Sequence, residues 1–314
     1  MLKRLKNKII KAGGFVNAHA HFDRAYTVRS FSDEERKKHL HEKWKLNDRF
    51  KRTASVKCYQ NNIEKAVFDQ IGFGVTSGCT FVDLDSITQA AAFCAAKNVK
   101  DYYSDKFDLK IACQTIKGVL DPEQYRLLNI WAPELDIIGS LPSADHNLSD
   151  HLDVVMQVAK NNGKRLHVHV DQLNTPEEKE TELLARKTVQ WAMEGRVTAI
   201  HSISLACHPK QYREEVYKMS QDAGLSFITC PSAWIDHPRR EDLVPSHNAI
   251  TPVDELLDHD LVVAIGSDNI HDIYKPFSDG DVMFELRLLL EACKIYDEQL
   301  LIKIATSNGR MIIN

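Results

Sequence analysis

A closed (β/α)8 barrel of the TIM type, an α/β architecture, is predicted by three observations on the amino-acid sequence. Short apolar runs alternate with longer amphipathic stretches almost from end to end of the 314 residues. Eight such runs can be counted, enough to close a parallel sheet on itself. No glycine-rich phosphate loop follows the first run, which argues against a doubly wound dinucleotide-binding sheet. Continuous apolar strands separated by helices belong to a parallel sheet covered on its outer face.

In chain order the strands are expected at Gly14–His21, Val75–Val82, Leu109–Thr115, Leu135–Gly139, Arg165–Val170, Val197–Ser202, Leu225–Cys230 and Leu261–Ser267. Helical patterns lie between them at Ser86–Lys97, Leu152–Asn161, Glu178–Met193, Pro209–Ala223 and Val282–Ala292. The segment Ser30–Gln70 is charged and helical and exceeds what one barrel helix needs. It reads as a helical insertion near residues 30–70 that decorates the mouth after the first strand. Its run Asp33-Glu34-Glu35-Arg36-Lys37-Lys38 reads as a solvated face. The basic start, Met1–Ile10, lacks the apolar core of a secretory signal and reads as a solvated tail or strand remnant rather than a membrane-surface helix. With no boundary, repeat or low-complexity tract, residues 1–314 are expected to form one domain.

Composition excludes several classes. The formal charge is −4, and no Lys/Arg patch is interleaved with aromatics as nucleic-acid binding would require. No apolar run approaches the roughly 18–20 residues of a membrane span. Seven scattered cysteines without a Cys-x-x-Cys pair favour reduced thiols in a cytoplasm.

The chemistry gathers at the strand ends. In a barrel of this kind reactive groups sit at the carboxyl ends of the strands. The first strand ends Asn17-Ala18-His19-Ala20-His21, and side chains two apart on a strand share a face. The fifth reads Leu166-His167-Val168-His169-Val170-Asp171-Gln172, the sixth ends Ile200-His201-Ser202, and the eighth continues Gly266-Ser267-Asp268-Asn269. Three imidazoles and one carboxylate suit a single divalent cation, Zn2+ or Fe2+, with a position left for water. Such a cation lowers the pKa of its water to about 7. A carboxylate at the eighth strand's end can take the proton, while His201 holds or polarises the oxygen under attack. On the fifth strand His167 is the alternative to His169, though its neighbours suit a core or hydrogen-bonded histidine better. Asp268 is costly to bury unpaired, so a structural role explains it poorly. Asp23-Arg24 reads as a salt bridge buttressing the first loop. Asp83 and Asp85 either face the pocket or cap a helix beginning near Ser86.

These residues resemble the amidohydrolase superfamily, and within it the cytosine-deaminase-like branch. The shared stretches are Asn17–Asp23, Arg165–Gln172, His201-Ser202 and Gly266–Pro276, and the similarity runs from about Gly14 to the C-terminus. The resemblance implies one metal bound by His19, His21, His169 and Asp268, and a catalytic role for His201. No lysine ends the fourth strand, so a carboxylated-lysine dimetal site is not expected. Three departures matter. Gln172 stands where the branch's deaminases carry a proton-shuttling glutamate, and an amide cannot ferry protons at neutral pH. Ile116 takes the place of the pyrimidine-reading glutamine, and Asn269 replaces a second aspartate. Cytosine itself is therefore not the expected substrate. The family's small β-sandwich, built from both chain ends, is expected to be absent or vestigial, which brings homo-oligomer contacts into play.

The expected activity is hydrolysis of a non-peptide carbon–nitrogen bond in a small cyclic or heteroaromatic amine or amide. Asp268, His201 and Gln172 would act on the reaction, and Gln172, Ile116, Asn269 and Tyr274 would shape the pocket. Two alternatives stay open: the same site releasing an alkylamine or opening a ring amide, and a non-catalytic barrel that keeps the metal.

Overall fold

The computed structural model describes residues 1–235 and 249–314. Its apolar runs form eight parallel strands: β1 (Phe15–Ala20), β2 (Val75–Asp83), β3 (Asp108–Gln114), β4 (Ile137–Ser140), β5 (Arg165–Val170), β6 (Val197–His201), β7 (Ser226–Thr229) and β8 (Val262–Ile265). Each pairs with its neighbours in sequence order. A parallel bridge between Ala20 and Asp268 brings β8 back to β1. There the His21 N–H donates to the Asp268 carbonyl at 3.2 Å and the Asp268 N–H to the His19 carbonyl at 3.0 Å. The sheet is thus a (β/α)8 barrel.

Two apolar layers hold it together. Phe15, Val82, Leu109, Val168 and Val263 belong to a layer shared with Ile63, Phe93, Val155 and Leu286 of the surrounding helices. A second cluster joins Val16, Phe81, Ala112, Ile200 and Ile228 of the strands to Ile312 and Ile313 of the C-terminal helix Ser307–Ile313. Its Phe81 ring lies 4.5 Å from His19 and 5.1 Å from His169, centroid to centroid, so this packing supports the histidines directly.

Two segments differ from the sequence reading. Leu2–Lys11 is a helix, not a tail or strand remnant. Leu5 and Ile9, one turn apart, are buried against the barrel, while Arg4 and Lys8 pair with Glu298. Burying each apolar side chain contributes about 1.5–3 kcal/mol, which outweighs the solubility of the flanking lysines. The helix expected from Ser86 instead spans Ala91–Tyr103. Residues 85–90 form a turn, because Asp85 Oδ1 accepts the N–H groups of Ile87 and Thr88, both at 2.9 Å.

After β1 the chain forms helices Asp33–Arg36, Leu40–Thr53 and Val56–Phe73. Val56–Phe73 buries Tyr59, Ile63, Ala66 and Val67 in the outer layer. The preceding helix, Leu40–Thr53, instead packs Leu40 and Trp44 with Ile273 and Tyr274 from the loop after β8.

Candidate metal centre and active-site cleft

The site begins where β1 meets β8. Gly266 permits the approach: a Cβ there would stand 2.7 Å from the His19 carbonyl oxygen. Asn17 laces the two strands, donating to Ser267 Oγ at 2.8 Å and accepting from the Ser267 N–H at 3.0 Å. As a result His19 Nε2 and His21 Nε2 each lie 3.4 Å from Asp268 Oδ1. From β5, His169 Nε2 comes within 3.2 Å of His19 Nε2. His169 Nδ1 is 3.1 Å from the Ser140 carbonyl; donating there puts the ring proton on Nδ1 and leaves a lone pair on Nε2.

These separations suit a cation. Ligand atoms held tetrahedrally at 2.0–2.1 Å from one centre are about 3.4 Å apart. Donor atoms of His19, His21 and His169, and those of His19, His201 and Asp268, lie within 4.8 Å of one another. Protonation is also right. Burial lowers the pKa of His19, His21 and His169, keeping them neutral, the form that ligates metal. Burial by itself would raise the Asp268 carboxyl, but Lys275, 3.4 Å from its Oδ2, and the contacts with His19 and His21 hold it well below the usual carboxylate range.

His201 completes the rim from β6, its ring 5.4 Å from that of His169 and 5.6 Å from that of His19. Burial pushes it down to about 3, so it is a neutral imidazole. His201 (φ +76°) and Asp268 (φ +59°) both have left-handed backbone, which costs a non-glycine residue about 1–2 kcal/mol. Thr251 Oγ1, donating to the His201 carbonyl at 2.5 Å, helps hold that turn. Such strain is concentrated at functional sites because it aims side chains that regular strands cannot.

A narrow cleft, open to solvent, lies over these groups. Leu40, Trp44 and Leu141 give it apolar walls, and Gln114, Gln172, Asn269, Arg24 and Tyr274 give it polar ones. Gln172, Asn269 and Tyr274, expected to shape a pocket, line this cleft. Ile116 does not: it is buried outside the cleft, and Gln114 lines it instead. β3 ends at Gln114, so the residue two positions on has already left the rim. Gln114 Oε1 is buried with no hydrogen-bond partner among the described residues.

Other assignments change as well. Asp23 does not pair with the Arg24 guanidinium. Its carboxylate accepts the N–H groups of Arg24 and Asp83, both at 2.9 Å. Arg24 turns instead to Asp83 at 3.3 Å and Asp272 at 3.9 Å. Asp83 and Asp85 both bind the buried Lys51 ammonium, at 2.6 and 2.7 Å. Neither caps a helix. His167 is buried against the C-terminal helix, its Nε2 3.2 Å from the Ile312 carbonyl, and is not among the converging donors. The sequence reading gave Arg24 and Gln114 no place in the cleft, and did not single out Lys51 or Lys275. Lys275 was within reach, since it lies in the same short segment as Asp268. Lys51 was not, because it sits among residues that read as solvated.

A model of the amidohydrolase family matches residues 121–285, just over half of the chain. The chain belongs to the amidohydrolase family. This amidohydrolase is 43% identical over 261 residues to an uncharacterized protein of Haemophilus influenzae, covering 81% of this chain and 94% of that one. It is 26% identical over 319 aligned positions to N-isopropylammelide isopropyl amidohydrolase of Pseudomonas sp. strain ADP, covering 96% and 74%. A crystal structure of 5-methylcytosine deaminase from Klebsiella pneumoniae, liganded with 5-fluorocytosine, matches it with a TM-score of 0.88 at 24% identity, over 95% of this chain and 74% of that one. The family is metal-dependent, and its reaction class, hydrolysis of carbon–nitrogen bonds, is that of this amidohydrolase.

Proposed function

We propose that this amidohydrolase holds one divalent cation through His19, His21, His169 and Asp268 and hydrolyses a carbon–nitrogen bond of a small heteroaromatic ring. The observation that carries this is the convergence of four donor atoms at 3.2–3.4 Å, separations that suit ligands sharing one cation. Zinc is the cation favoured by this nitrogen-rich set, and Fe2+ is the alternative. A divalent cation held by these residues would supply Lewis acidity and lower the pKa of a water to about 7. The chain's own groups do the rest. Asp268, kept ionised, accepts the proton of the attacking water. His201, neutral, donates a hydrogen bond where negative charge develops. Leu40, Trp44 and Leu141 offer apolar walls to a flat ring, and Gln114, Gln172 and Asn269 offer amides to its polar edge.

The names of the relatives favour such substrates: an isopropylammelide hydrolase and a pterin deaminase are among them. Gln172 favours a leaving group whose departure needs little ring protonation, so an alkylamine is the second reading beside ammonia. The seven free thiols suit a reducing compartment, the cytoplasm.

The test is metal analysis of the purified protein, followed by a panel of heterocyclic amines and amides assayed separately for ammonia and for amine. One cation per chain and turnover of a ring substrate are expected, with both lost in Asp268→Ala. A protein that takes up no cation, or a loaded form that turns over nothing in the panel, overturns the proposal. Undiminished turnover in Gln172→Ala would remove that side chain from substrate orientation.

A further inference from the structure

A second group of buried polar side chains lies beside the cleft. Ser140, the last residue of β4, has its Oγ 2.9 Å from His151 Nε2, and His151 Nδ1 lies 2.6 Å from Asp145 Oδ2. The order of contacts is that of a nucleophilic serine triad. Ser140 and His151 are both 0% exposed, however, and neither lines the cleft, so no substrate reaches the hydroxyl. Any role has to act through a neighbour. That neighbour is His169, whose Nδ1 meets the Ser140 carbonyl at 3.1 Å.

We propose that His151, backed by Asp145, is a positioning residue for His169: it locks Ser140 so that its carbonyl fixes the His169 ring. The proposal rests on the metal-centre reading above. The directions of the hydrogen bonds follow from the acceptor at the end of the chain. Asp145 takes the His151 Nδ1 proton, which leaves Nε2 as an acceptor for the Ser140 hydroxyl and sets that side chain's rotamer. The next peptide is pinned too, since the Leu141 N–H donates to Thr115 Oγ1 at 2.9 Å. The Ser140 carbonyl between these two anchors has one direction open to it. It accepts from His169 Nδ1 and leaves the Nε2 lone pair facing His19.

Asp145 is itself built in. Its Oδ2 accepts the Val119 N–H at 2.7 Å and the Leu120 N–H at 3.3 Å. Gly118, at φ +77°, makes room for it: a Cβ there would lie 2.2 Å from Asp145 Oδ1. The loop after β3, the loop after β4 and the β5 histidine are therefore joined by one continuous set of hydrogen bonds, and no step of the proposed reaction accounts for it.

The experiment compares wild type with Ser140→Ala, His151→Leu and His151→Gln. Zinc affinity is measured by chelator competition, the visible spectrum is recorded for the Co2+-loaded forms, and the metal-free forms are melted. Ser140→Ala and His151→Leu are expected to weaken zinc binding by about 10–100-fold and to shift the Co2+ bands. His151→Gln, whose amide still donates to Asp145, is expected to recover part of the loss. Metal-free Ser140→Ala, a deletion of one oxygen, is expected to melt near wild type, which separates positioning from folding. If wild type holds zinc and both Ser140→Ala and His151→Leu hold it equally well with unchanged spectra, the positioning role is overturned while the metal centre stands. If wild type holds no cation, the metal-centre reading falls first and takes this one with it.

Discussion

Replacing Lys51 with Met removes the ammonium that meets Asp83 Oδ2 at 2.6 Å and Asp85 Oδ2 at 2.7 Å. All three side chains are nearly inaccessible, with relative exposures of 1%, 2% and 0%. Taking one partner from a buried ion pair costs about 3–5 kcal/mol, because the remaining charge is stranded in a low-dielectric interior. Here both carboxylates keep other partners: Asp83 retains Arg24 at 3.3 Å, and Asp85 retains two backbone N–H groups at 2.9 Å. The lower end, about 3 kcal/mol, is therefore expected. At about 2.1 cal/mol/K per residue, 314 residues unfold with an entropy of about 0.66 kcal/mol/K, so Tm should fall by about 5 °C. The pH dependence is equally specific. Burial opposes the charge on Lys51, but Asp83 and Asp85 raise its pKa above the usual 10.5, so its contribution is complete below that value and is lost as pH rises beyond it. Lys51 and the backbone N–H groups outweigh burial at Asp85 and lower it below 3.8, so that contribution is complete above this value and is lost in acid. The Tm difference should be flat from about pH 5 to 9. Calorimetry across that range is the assay, with KM measured alongside, because Lys51 anchors the helix that carries Leu40 and Trp44 to the cleft. A drop under about 1 °C, or one confined to acid, would refute the reasoning. Asp85→Asn added to Lys51→Met should restore part of the loss.

Other outcomes can be checked in the same preparations. His201→Ala should lower kcat by about 10²–10³ with cation content unchanged, the cost of losing one donor to developing charge; unaltered kcat would contradict that role. Because burial holds His201 at about 3, its titration should leave no inflection in the kcat profile between about pH 5 and 8. Removing the cation with a chelator should lower Tm, since a ligand at 100 times its Kd adds about 2.7 kcal/mol, and His19→Ala should show no such shift. Burial and the nearby Asp171 push Glu178 up to about 7 from an ordinary 4.5. The folded state then binds more protons than the unfolded one between those values, so stability should fall as pH rises through that window. Glu178→Gln should flatten this fall, as judged by urea unfolding at several pH values.

How far the sequence could be read depended on how local each signal was. His19 and His21 lie two residues apart at the end of an apolar run, and His169, His201 and Asp268 each close another. A parallel barrel gathers strand ends at one rim, so identifying the strands identified the cluster. Gln114 was missed because the resemblance was matched to Ile116, two residues on, while the strand, expected to end at Thr115, ends at Gln114, where its pairing with β2 stops. The N-terminal helix was misread because the groups that favour it are remote: Glu298 meets Arg4 and Lys8 across 294 and 290 positions of chain. Asp23-Arg24 looked like a pair since the two are adjacent, yet Asp83 and Asp272 compete successfully for the guanidinium.

Periodicity along the chain was thus enough to predict the barrel and to bring His19, His21, His169, His201 and Asp268 to one rim, since both follow from patterns a few residues long. Packing in three dimensions was needed to show that Lys51 is buried between two carboxylates, that Gln114 rather than Ile116 lines the cleft, and that Ser140, His151 and Asp145 stand behind His169. Those arrangements depend on polar groups far apart in sequence finding one another inside a medium where an unpaired charge or donor is costly, and a linear pattern carries no record of such encounters.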